Sequence, residues 1–92
     1  MDKSTKLEGS ALKRAVNDVL LTADTVRETD LREFFTAIAE PEDFEMVLGG
    51  RLRIGAYQLR YGKLSITSGY VNPEGDGVTG IAFAKFMEGR ET

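Results

Sequence analysis

The chain contains no cysteine and no histidine. Lack of cysteine removes disulfides and thiolate chemistry. Lack of histidine removes the usual general base near neutral pH and the commonest metal ligand. Together these absences argue against a tetrahedral zinc site and exclude any triad built on an imidazole. Long apolar runs are missing too; segments such as Val19-Leu20-Leu21 and Ile81-Ala82-Phe83-Ala84 are too short to span a bilayer or to serve as the apolar part of a secretory signal. A cytoplasmic protein with no membrane partner, no cofactor and no metal is the expectation.

A third absence is local. Between Glu45 and Glu74 there is no acidic residue, and the only charges are Arg51, Arg53, Arg60 and Lys63. Residues 1–45 hold six Lys/Arg against eleven Asp/Glu, a net of −5; residues 46–73 hold four against none, a net of +4; residues 74–92 hold two against four, a net of −2. The whole chain is therefore acidic at −3 while one segment is basic. That balance opposes bulk attraction to nucleic acid but allows one positive surface.

What is present is enough for a single small domain: 92 residues, 41% hydrophobic and 29% charged. Residues 1–9 show no apolar period and read as a flexible arm, leaving 10–92 as the domain. Ser10 reads as a helix N-cap, and Leu12, Ala15, Val16, Val19, Leu20 and Ala23 fall on one stripe of a helix over about 11–23, with Lys13, Arg14, Asn17 and Asp18 opposite. A second helix is expected from Asp30, capped in a box with Glu33, to about Ala39, before Pro41.

Residues 41–48 fit two readings equally. Phe44, Met46 and Leu48 alternate as in a strand, whereas Pro41 at a first helical position with Gly49 as a stop describes a short helix. Arg51 to Val71 reads as a hairpin with Tyr61-Gly62 at its tip, pairing Arg60 with Lys63 and Leu59 with Leu64. A β-bulge at Gly55-Ala56 then brings Leu52, Ile54, Tyr57 and Leu59 onto one apolar face. The same register gathers Arg51, Arg53, Gln58, Arg60, Lys63, Ser65 and Thr67 on the solvent face. Residues 72–77 are turn chemistry, and 78–87 read as a further strand in preference to a helix. The expected fold is α+β: two N-terminal helices packed on a three- or four-stranded antiparallel meander, in two layers.

Other candidate chemistry is thin. Glu40, Glu42, Asp43 and Glu45 could divide acid and base roles only if one were buried, and they lack the alternation of a calcium loop. Gly75-Asp76-Gly77 and Gly80 lack the lysine and hydroxyl of a phosphate-binding loop, and Ser4, Ser10, Ser65 and Ser68 lack a suitable base. The basic face remains. It predicts a non-enzymatic binding or accessory protein of the inhibitor kind that engages an acidic protein partner through Arg51, Arg53, Gln58, Arg60, Tyr61 and Lys63. The alternative is a nucleic-acid-binding accessory protein using the same face, for which Tyr61 is the only aromatic in reach unless Tyr70 joins it. Surplus apolar surface on the two helices and at Phe83, Phe86 and Met87 also leaves room for a homodimer.

Overall fold

Leu12, Ala15, Val16, Val19 and Leu20 lie three and four residues apart, and all five are fully buried along one side of helix α1 (Gly9–Thr22). That stripe makes α1 the centre of the fold. The computed structural model describes residues 6–22, 25–55, 57–66 and 75–90. After α1 come strand β1 (Thr25–Arg27), helices α2 (Glu28–Thr36) and α3 (Pro41–Arg53), strands β2 (Tyr57–Arg60) and β3 (Lys63–Ile66), and helix α4 (Thr79–Arg90). The strands form one antiparallel sheet in the order β1-β3-β2. Val26, Tyr57 and Leu64 are buried on the inner face, and α1 packs against β3, α3 and α4.

The α+β class and the antiparallel sheet agree with the sequence, but the arrangement differs. Among the described residues there are four helices, and they are not all N-terminal to the sheet. Residues 41–53 are helical, with Pro41 in the first turn. Glu42 and Asp43 in the first turn and Arg51 and Arg53 in the last both suit the helix dipole. Those end effects, and the burial of Phe44 and Leu48 four residues apart, outweigh the two-residue alternation and carry the helix through Gly49-Gly50. It stops at Gly55, whose φ of +80° closes the helix as a C-terminal glycine does, with its amide bonded to the Leu52 carbonyl at 3.2 Å. Gly55 thus serves a helix end where the sequence pointed to a bulge, and Arg51 to Ile54 leave the sheet altogether. Ala56, Thr67, Tyr70 and Val71 lie outside the described residues.

The strand expected at 78–87 is also a helix, and the sheet takes its third strand from Thr25–Arg27, between the first two helices. Helix α4 is capped twice. The Asp76 carboxylate accepts from the amides of Val78 at 2.9 Å and Thr79 at 2.8 Å. From α1, Asp18 accepts from the amides of Gly77 at 3.1 Å and Gly80 at 2.6 Å. The helix and the segment ahead of it meet α1 so closely that a Cβ on Gly80 would lie 3.0 Å from Thr22 Cβ, and one on Gly75 would lie 2.8 Å from Asp18 Cα. Gly80 is a poor helix residue by propensity and is required by this contact, so local propensity misassigned the element.

Two further positions depart from expectation. Helix α2 begins at Glu28 rather than Asp30, which is buried at 3% exposure and receives Arg27 Nε at 2.9 Å and Arg90 at 3.4 Å. Asn17, expected on the polar side of α1, is buried and accepts a 2.7 Å hydrogen bond from the Tyr57 hydroxyl. The core closes with aromatic contacts: Phe34 meets Phe83 and Phe86 of α4 with centroids 5.2 and 5.4 Å apart, and Phe35 stacks on Phe44 of α3 at 5.0 Å. Ahead of α1, Leu7 is half-buried and donates its amide to the Ile38 carbonyl at 2.8 Å.

Candidate functional site

The hairpin tip sets the site. Tyr61 and Gly62 both have positive φ, 53° and 76°, the backbone sense of the two-residue turn that matches strand twist. Such a turn forces Arg60 opposite Lys63, Leu59 opposite Leu64 and Gln58 opposite Ser65, as the sequence register requires. On the other side of β3, Arg27 pairs with Lys63 and Thr25 with Ser65. Because partners across a sheet share a face, Arg27, Lys63 and Arg60 form one row and Thr25, Ser65 and Gln58 a second beside it. All three cations are exposed.

The row is held in place by the elements around it. The Gly62 carbonyl accepts from the Glu28 amide at 2.6 Å, tying the hairpin tip to the start of α2. The Arg27 guanidinium leans on the buried Asp30 and keeps 62% of its side chain exposed. Among the described residues neither Arg60 nor Lys63 has an ion-pair partner. Like charges facing one another across strands disfavour a sheet, and this row places three of them side by side. Tyr61, 99% exposed, stands at its end.

Of the residues picked from sequence, Gln58, Arg60, Tyr61 and Lys63 come together here. Arg51 and Arg53 do not; they occupy the last turn of α3, where Arg51 lines a groove of about 440 Å³ with Leu12, Met46 and Ile54. Arg27 was missed. It lies in an acid-rich stretch, beside Glu28 and close to Asp30, and a three-residue strand is too short to declare a period. The one available signal was Thr25-Val26-Arg27 itself, polar, apolar, polar, ahead of a helix.

Of the four acids around Pro41, two are in ion pairs among the described residues. Glu40 pairs with Lys6 at 3.3 Å, and Glu45 with Arg32, which also holds Glu28. Burial pushes the Asp76 carboxyl up, but hydrogen bonds from the Thr79 hydroxyl and from the amides of Thr79 and Val78 outweigh it and hold the group below its usual range. Among the described residues no three acidic side chains converge in a way that could hold a metal. No family model matches the chain, and no curated protein or solved structure matches it.

Proposed function

We propose that this chain is a non-enzymatic binding protein, an accessory or inhibitor-like module, whose basic sheet face engages an acidic patch on a protein partner. The observation that carries the reading is the cross-strand row Arg27–Lys63–Arg60. Three cations lie side by side on an exposed surface of an acidic chain, two of them without a carboxylate among the described residues. Arginine offers a planar fork that grips a carboxylate at two points, and a lysine between two arginines adds a mobile charge. Tyr61 and Gln58 supply an aromatic edge and an amide at the same surface. Single-stranded nucleic acid ordinarily needs several stacking platforms, and one tyrosine at a hairpin tip favours the protein partner.

The test is affinity purification from the native host with the double variant Arg60→Glu, Lys63→Glu. Both side chains are exposed, so the circular dichroism spectrum is expected to match that of the parent and the melting temperature not to fall, while partner recovery is lost. Arg53→Glu, an exposed charge reversal on α3, is the matched control and is expected to retain the partner. Retention by the double variant overturns the reading. Salt-sensitive binding of single-stranded DNA or RNA in a filter assay, abolished by the same two changes, would replace the protein partner with nucleic acid.

A further inference from the structure

Beside the basic row runs a groove of about 550 Å³ between β1 and α4. Val26, Phe83 and Met87 contribute apolar surface to it, the last two one helical turn apart on α4. Arg27 and Lys63 line it as well, so two of the three cations belong to both the groove and the row. The Asp30 carboxylate, buried between Arg27 and Arg90, fixes the arginine in place without leaving its own charge exposed. We infer that the groove receives a bulky apolar side chain from an extended acidic segment of the protein partner, while that segment's carboxylates lie on Arg27, Lys63 and Arg60.

The inference rests on the basic-face reading and adds an occupant of stated chemistry. Val26, Phe83 and Met87 in a groove with cations at its lip fit a side chain such as leucine flanked by aspartate or glutamate, and the Asp30 carboxylate in the same lining is already held by Arg27 and Arg90. The backbone of β1 favours an extended chain. The bond from the Glu28 amide to the Gly62 carbonyl marks that pair as hydrogen-bonded, and alternation makes Val26–Leu64 the next such pair. The main-chain groups of Thr25 and Arg27 therefore point away from β3. Among the described residues no strand pairs with that edge, and both residues line the groove. An incoming segment can add main-chain hydrogen bonds there while its side chain enters the groove.

The experiment uses two labelled, end-capped peptides, one with glutamates flanking a central leucine and one with serine replacing the leucine. Fluorescence anisotropy against the full chain is expected to give about tenfold tighter binding for the leucine peptide, the order expected for burying such a side chain. Thr25→Trp, which places a large ring at the groove mouth from an exposed strand position, is expected to erase that preference; Lys63→Glu is expected to weaken both peptides. Equal affinity of the two peptides for the unmodified chain overturns the groove, independently of how the variant folds. It leaves the basic face standing if Lys63→Glu still weakens both. Leucine-peptide binding that is indifferent to Lys63→Glu overturns the basic-face reading itself. Displacement of the peptide by decanoate at submillimolar concentration would assign the groove to an anionic lipid chain and overturn the protein segment.

Discussion

Tyr61 is the residue that local rules explain least. Its φ of 53° puts a bulky L-residue in the left-handed region, where asparagine and glycine are comfortable and an aromatic ring is not. With 99% of its surface exposed it gains nothing from packing. Tyr61→Asn is expected to stabilise the chain by about 1 kcal/mol in urea titration, since asparagine suits the turn, and to weaken partner binding at the same time. Loss of stability would show that the ring has a structural task. The hairpin was legible at this scale, because Tyr61-Gly62 between alternating residues fixes which side chains oppose one another. Asn17 was not, because its partner, the Tyr57 hydroxyl, lies forty positions away.

Among the elements, α1 was legible from its stripe alone, while α3 and α4 depended on information that no short window contains. The contact of α4 with α1 makes a ranking possible. Gly75→Ala sets a methyl against the α1 backbone at Asp18, whereas Gly80→Ala meets only side-chain atoms: the Thr22 hydroxyl, which can rotate away, and Thr22 Cβ and Asp18 Oδ2, each at 3.0 Å, which must give slightly. Both are expected to destabilise, Gly75→Ala by about 3 kcal/mol and Gly80→Ala by about 1, as read from denaturant midpoints. The Asp76 cap gives the same seam a pH dependence. Its carboxyl titrates lower in the folded chain than in the unfolded one, so its contribution is complete above the ordinary aspartate range and fades as pH falls through and below it. Asp76→Asn is expected to lower stability at neutral pH and to flatten the decline on acidification; parallel curves for parent and variant would contradict this.

At the scale of the whole molecule, the acid-free window holds two of the three cations of the sheet row, and its other two arginines lie on α3. Charge counting works along the chain, and the sheet assembles its face across it: Arg27 arrives from a segment with a net charge of the opposite sign, while Arg51 and Arg53 turn away with α3. The apolar residues that left room for a homodimer are drawn inward, Phe83 into the core and Phe86 and Met87 against it. On the proposed function, the row of like charges would set stability against binding. Lys63→Gln, which removes the middle charge, is expected to melt higher than the parent at low salt, with the difference vanishing near 1 M salt as the repulsion is screened; an unchanged melting temperature at low salt would mean that the three charges do not feel one another.

The seam between α1 and α4 also bears on the order of events in folding. Asp18 meets its amide partners at Gly77 and Gly80 only after a loop of some sixty residues has closed, a slow and entropically demanding step. Docking of α4 on α1 after the rate-limiting step would leave these contacts out of the transition state. Weakening them would then speed escape from the native state and scarcely touch the rate of reaching it. The double cap on α4 is then expected to act as a latch: Asp18→Ala should raise the unfolding rate and leave the folding rate nearly unchanged, and a comparable fall in the folding rate would place the seam in the transition state.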